Sequence, residues 1–330
     1  MRKRNVLLAA GACLATLALT VGTAVADPNG APQFRELAGV GAQTTQDVMN
    51  SLSDTIKDSS GTKIIASYDN AGSPTITTKA PPANCTITRP NQGGSGTDAL
   101  VASLDANDGC VQFARAVTDD SKTTKRTGKN LTYIPFAIDA LTYAIRSDST
   151  IPKDLSAADL TAIYNCQVPG IQPLLGVFGA GNRTFFLQKL GFTDSATFAG
   201  SPGHECVKDT DSSGNPLLAN DGRLLTAPNQ LVTYSSAPYL AQVNGVGPDI
   251  HGKAILGSIN GISPAILNNN SFMSREVFNV VSTPQANNSS STVNKVFVGP
   301  SSSVCSNSST IQRFGFNIDP NCGSTAIHTN

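Results

Sequence analysis

The chain has no Trp, only three His among 330 residues, and a charged fraction of just 14%. Without Trp there is no platform of stacked indoles for a carbohydrate, although tyrosines remain available for that role. Lys plus Arg and Asp plus Glu balance at 23 each, so no net field steers the chain toward nucleic acid or an acidic membrane. His204, His251 and His328 are scattered and no CxxC occurs, which argues against a metal centre or any other cofactor. His204 beside Cys206 reads as a surface residue next to a disulfide. No apolar run after residue 26 approaches the length of a membrane span.

Several catalytic signatures are missing as well. No G-x-S-x-G elbow exists, no Asp/His pair points at a serine, and no acidic pair stands out for glycoside hydrolysis. Residues 247–254 (GPDIHGKA) approach a nucleotide phosphate loop but end on Ala254, where a hydroxyl must hold magnesium. Gly39-Val40-Gly41 lacks the third glycine of a dinucleotide fingerprint. Nothing here points to an enzyme.

What is present begins with a leader. Arg2, Lys3 and Arg4 precede an apolar stretch over residues 6–21, and Ala24-Val25-Ala26 offers small residues before Asp27. This is the pattern of a secretory signal peptide over residues 1–26, and it implies a secreted, extracellular product. Cys13 raises a lipid-anchored alternative, which the absence of Leu at position 10 and the continuing apolar run disfavour. Six cysteines follow the leader: Cys85, Cys110, Cys166, Cys206, Cys305 and Cys322. An even number in an exported chain reads as three disulfides, with about 15 possible connectivities. The spacing suggests the neighbours Cys85–Cys110, Cys166–Cys206 and Cys305–Cys322, each worth roughly 3–4 kcal/mol in the chain-entropy model.

Along the chain, strands alternate with glycine turns and helices. Residues 37–41 read as a strand, Thr44 or Thr45 as a helix cap, and Val48, Leu52 and Ile56 as that helix's apolar face. Further strands are expected over 63–68, 111–114, 174–178, 231–234, 254–259, 277–281 and 293–298. Short helices are expected over 99–104 and 238–243, and a helix after the turn at 179–183 with Gly191 as its stop. Ser156 with Asp159 forms a capping box. Residues 73–89 read as irregular, 131–136 and 141–146 as two apolar segments, and 285–291 as a polar loop tip. The rhythm is that of an α/β protein with a mainly parallel sheet.

Eight segments, in order and across nearly the whole mature chain, then resemble one family. They are residues 39–50 (GVGAQTTQDVMN), 65–72 (IASYDNAG), 88–99 (TRPNQGGSGTDA), 131–144 (LTYIPFAIDALTYA), 155–166 (LSAADLTAIYNC), 179–191 (GAGNRTFFLQKLG), 234–244 (YSSAPYLAQVN) and 275–281 (REVFNVV). Together they are similar to the type 2 periplasmic binding-protein superfamily, in its PstS-like phosphate-binding branch, and to secreted actinobacterial members in particular. The resemblance implies two α/β lobes with flanking helices, mainly parallel sheets, and a two-stranded hinge. Lobe one would comprise residues 27–140 plus 278–330, and lobe two residues 141–277. A small anion, phosphate or similar, would be the partner, with an ABC transporter permease as a candidate second partner and a monomer as the expected state. Phosphate transport without catalysis would be the role.

By position, the resemblance places Gln43, Thr44, Ser95, Gly96, Thr97, Gly181, Asn182, Arg183 and Thr184 at the ligand, and Arg115 is a further candidate that would compensate, with Arg183, for contacts this chain lacks. Helix N-termini and hydroxyls would supply donors, with an Arg as a two-pronged contact. Arg115 and Arg183 also read plainly as salt-bridging or snorkelling residues. Three departures bear on affinity. Ala180 replaces a serine, Asn182 replaces a threonine, and residues 113–116 (FARA) lack the Asp that accepts the proton of hydrogen phosphate. Losing two hydrogen bonds to a charged ligand weakens binding by roughly a hundred- to ten-thousand-fold. A family member that takes another solute or acts at the cell surface is therefore the alternative, with a secreted hydrolase as a third class.

Overall fold

A computed structural model describes residues 27, 28, 30, 32–263 and 272–330. The leader over residues 1–26, and Cys13 with it, lies outside the described residues.

The first half opens with β1 (Leu37–Gly41), α1 (Gln46–Thr55), β2 (Ile65–Ser67), β3 (Thr75–Thr77), β4 (Thr86–Thr88), α2 (Gly93–Ala106) and β5 (Phe113–Ala116). β1 pairs in parallel with β2 and with β5. α1 and α2 lie in the connections, as parallel strands require. The chain then runs through β6 (Leu131–Arg146), 16 residues long. Beyond it come β7 (Asp154–Leu155), α3 (Ala157–Tyr164), β8 (Gln172–Leu174), α4 (Gly181–Lys189), β9 (Gln230–Ser235), α5 (Ser236–Val243), β10 (Ala254–Leu256) and β11 (Ser258–Ile259). β12 (Ser274–Ser282) returns the chain, and α6 (Thr283–Asn287), α7 (Thr292–Phe297), α8 (Ser308–Arg313), β13 (Asn317–Ile318) and β14 (Ile327–His328) complete it.

The main sheet has the order β2-β1-β5-β12-β6-β9-β8. Parallel pairs form its two outer parts, β2-β1-β5 and β8-β9, while β12 and β6 run antiparallel to their neighbours in the middle. β6 bonds to β12 from Leu131 to Ala140 and to β9 from Leu141 to Ile145. Its buried side chains change company at the same point. Ala137 belongs to the core that holds Val48, Leu52 and Val277, whereas Leu141 belongs to the core that holds Leu160, Phe186 and Met273. The result is two lobes of α/β structure carried on one pair of strands. α5 bridges them: it follows β9, yet buries Ala237 and Ala241 in the first core.

Several elements differ from the reading of the sequence. Residues 73–89 contain a hairpin of β3 and β4, registered through Thr75–Thr88 and Thr77–Thr86. α2 starts at Gly93 and not near residue 99, because Gln92 and Ser95 form a reciprocal cap. The segments 131–136 and 141–146 are one strand. Residues 293–298 form no strand, since their core falls in the helix α7. Ser291 Oγ accepts from Asn294 N, and Val293, Val296 and Phe297 are buried at helical spacing. α6 begins the stretch 285–291, with Pro284 in its first turn.

The six cysteines join as Cys85–Cys110, Cys166–Cys206 and Cys305–Cys322, with Cα separations of 5.2, 5.7 and 5.9 Å. The first ties the hairpin to the strand that follows α2, the second packs beside α3, and the third fastens the C-terminal segment.

Candidate functional site

At the carboxyl ends of β1, β2 and β5 the chain turns away from the sheet, which is where open α/β sheets bind ligands. There α1, α2 and α4 each begin, and between them lies a cavity of about 30 Å³, enough for one or two waters. Gln43 and Thr44 reach it from the turn before α1, and Asn70 from the end of β2. Gln92 and Gly93 line it at the start of α2, and Ala180, Gly181 and Asn182 at the start of α4. Close approach of the two lobes explains one glycine: a Cβ on Gly181 would sit 2.4 Å from Val117 Cγ2. Another glycine sets the position of α2, since a Cβ on Gly96 would lie 2.5 Å from Gly41 Cα.

Side chains knit the lobes together around this cavity. Thr44 Oγ1 donates to Asn182 Oδ1 at 3.0 Å, and Asn220 Nδ2 donates to Gln43 Oε1 at 2.8 Å and to Thr44 Oγ1 at 3.2 Å. Gln92 Nε2 donates to the Phe178 carbonyl at 3.1 Å. Beneath them, Asn182 Nδ2 donates to Asn220 Oδ1 and Ser235 Oγ, both at 3.1 Å. Arg275 Nη2 donates to Asn182 Oδ1 and also to Asp139 Oδ2, the latter at 3.0 Å. Arg275 and Asp139 face each other across the β12–β6 ladder, at the point where the two cores meet. Both are buried. Burial lowers the Arg275 pKa, and Asp139 opposes that effect.

The expected ligand residues divide into two groups. Gln43, Thr44, Gly181 and Asn182 line the cavity. The others are engaged locally. Ser95 is held in the α2 cap with Gln92, and Thr97 Oγ1 donates to the Gly93 carbonyl within the helix. Gly96 is pressed against Gly41. Arg115 is fully buried and donates to the carbonyls of Ala42, Gly41 and Tyr68 and to Ser67 Oγ. Its guanidinium braces the turn from behind, and burial lowers its pKa to about 10, against the pull of Asp69, Asp27 and Asp47. Arg183 is also fully buried, between Asp194 and Asp209 at 2.8 Å each, and donates to the Gly176 and Ser195 carbonyls. Thr184 Oγ1 donates to Asp194. Arg183 and Thr184 therefore fix the loop behind α4.

Sequence reasoning missed Arg275, Asp139, Asn220 and Ser235. Only strand register brings the first two together, and a loop distant in sequence delivers Asn220. Beside the site, Asp47 in the first turn of α1 has its pKa raised to about 6, mainly by burial and then by Asp69.

No protein-family model matches this chain, and no curated protein matches it. Solved structures do. An ABC-type phosphate transport receptor from Vibrio cholerae superposes with a TM-score of 0.52 at 13% identity, covering 86% of this chain and 100% of the other. A substrate-binding protein from Clostridium perfringens, assigned to a phosphate ABC transporter and solved with bound phosphate, gives 0.55 at 15% identity over 86% and 99%. The chain has their fold. A phosphate-binding protein from Stenotrophomonas maltophilia gives 0.51 at 11% identity, over 87% of this chain and 91% of its own. This fold agrees with the two-lobed α/β architecture expected from the eight sequence segments.

Proposed function

We propose that the chain reversibly captures a small oxyanion, phosphate first, in the cavity between its lobes and performs no catalysis. One observation carries this reading: the N-termini of α1, α2 and α4 converge on one interlobe cavity lined by the Thr44 hydroxyl, several carboxamides and glycine backbone. Each helix start has N–H groups without intrahelical acceptors and the positive end of a helix dipole, worth about 0.3–1 kcal/mol toward an anion. Hydrogen bonds to a charged ligand add about 1.5–3 kcal/mol each. The phosphate held by the Clostridium perfringens structure of the same fold supports the same ligand here.

Lobe one, residues 27–140 with 278–330, and lobe two, residues 141–277, would close on the anion by bending at the β6–β12 crossing. Three disulfides fit an oxidising, extracellular setting. Among the described residues no helix is long and apolar enough to cross a membrane. A secreted monomer that hands its ligand to an ABC transporter permease is the corresponding biological role.

A second reading, a neutral polar solute, is favoured by the charge state of the site. The nearest guanidinium, that of Arg275 buried behind Asn182, already faces Asp139, and the lining is rich in carboxamides. Denaturing natively purified protein and identifying the released small molecule by mass spectrometry separates the two. Phosphate or a like oxyanion near one per chain is expected. A neutral amide or polyol in its place would favour the second reading.

A further inference from the structure

Resting on the oxyanion reading, we propose that Arg275 is the cationic contact for the ligand and that Asn182 sets its affinity, with the Asn182 carboxamide oxygen standing where one ligand oxygen would bind. Asn182 Oδ1 accepts from two donors on opposite sides of the cleft, Thr44 Oγ1 in one lobe and Arg275 Nη2 on the hinge strand. A hydroxyl and a guanidinium meeting at one oxygen is the donor set suited to an oxyanion. The chain fills it with its own amide.

The guanidinium is poorly satisfied by that arrangement. Asp139 Oδ2, Asn182 Oδ1 and Ser235 Oγ all crowd onto Nη2, at 3.0 Å for Asp139 and 3.3 Å for Ser235. Nη1 has the Gly181 carbonyl at 3.2 Å. Nε is buried and has no hydrogen-bond partner among the described residues. Nε and Nη2 share one edge of the guanidinium, and that edge grips two oxygens of a carboxylate or phosphate side by side. Asp139 offers it one oxygen and Asn182 one. A tetrahedral anion displacing the carboxamide would take Nη2 and the idle Nε together.

Asn182 sits in the first turn of α4, so its own backbone N–H points into the same space that its side chain closes. The serine and threonine hydroxyls expected of the family are replaced at Ala180 and Asn182. The site therefore has a cation in reserve but covers it. An anion must first move the carboxamide away from Thr44 and Arg275, and binding is weakened by that cost. Arg183, the cation that the sequence suggested, is engaged elsewhere.

Titration calorimetry with inorganic phosphate, on native protein freed of ligand and on Asn182→Ser, tests this. The variant should bind phosphate at least about tenfold tighter, the worth of one hydrogen bond to a charged group. The gain should vanish in Asn182→Ser/Arg275→Lys, because an ammonium cannot form the two-pronged contact. Thr44→Val in the Asn182→Ser background removes the other donor without touching buried charge; it should also lose most of the gain, and it serves if the Arg275 variant does not fold. If native protein binds phosphate and Asn182→Ser binds it no tighter, the stand-in role of Asn182 is overturned while the oxyanion reading survives. A gain that persists in the Arg275→Lys double variant overturns the role of Arg275. Heat from neither protein with phosphate or sulfate overturns the oxyanion reading itself.

Discussion

Arg183→Ala separates a structural cation from a ligand contact. In the folded chain Nε donates to Asp194 Oδ1 at 2.8 Å, and Nη1 to Asp209 Oδ2 at 2.8 Å and the Gly176 carbonyl at 3.1 Å. Nη2 donates to the Ser195 carbonyl at 2.8 Å. The Asp194 side chain is 5% exposed and that of Asp209 is 24% exposed. Truncation leaves Asp194 buried with no counter-ion and removes the donor from two carbonyls. Breaking a buried pair from one side costs about 3–5 kcal/mol. Water can reach Asp209, which puts the expected loss toward the lower end of that range. At about 2–4 °C per kcal/mol for a domain approaching this size, the melting midpoint falls by roughly 10 °C. Arg183→Lys keeps a charge but reaches one carboxylate at a time, so it should melt between the two. Calorimetric melting at neutral pH, with phosphate titration well below each midpoint, reads both effects. A large fall in melting temperature with phosphate affinity nearly unchanged is the expected result. Native-like melting together with lost phosphate binding would refute the reasoning and return Arg183 to the ligand.

Two further substitutions probe the frame of the site. Gly96→Ala places a Cβ 2.5 Å from Gly41 Cα, so α2 must move off β1; overpacking of this kind costs about 1–3 kcal/mol. Because the start of α2 lines the cavity, phosphate affinity should fall with stability, and a variant that melts and binds like native protein would contradict the packing argument. Asp47→Asn tests the half-buried carboxyl beside the site, whose folded pKa of about 6 exceeds an ordinary value near 3.9. A carboxyl raised in this way stabilises the fold fully below about pH 4, and that contribution is lost as pH rises through about 6. The Asn variant should therefore be more stable than native protein near pH 8, by about 1–3 kcal/mol, and the difference should close by about pH 4. Melting curves that keep a constant offset across that range would count against the burial of Asp47.

How legible this was in the sequence depended on the kind of residue. The turns at residues 93–97 and 179–183 were marked by glycines, and Gly96 and Gly181 are required by the close approaches that bring helix starts to the cavity. Lobes and hinge were carried by eight segments in order. The direction of individual side chains was not legible. Ser95 and Thr97 carry hydroxyls suited to an anion, yet a cap and an intrahelical bond take them first. Arg183 looked like a cleft residue because nothing in the sequence shows Asp194 and Asp209 folding back onto it. Arg275 lies in a segment that reads as hinge strand, and only the register opposite Asp139 brings it behind Asn182. The Val-rich stretch 293–298 suggested a strand, but a cap from Ser291 and burial at helical spacing decided for α7.

Capture of a small oxyanion in the cavity between the lobes is open to direct measurement. Titration calorimetry on ligand-free native protein with phosphate, sulfate and a neutral sugar tests it most directly. One saturable site per chain for phosphate and no heat from the sugar are the expected results. No heat from either anion even at millimolar concentration, or saturable binding of the sugar alone, would contradict it.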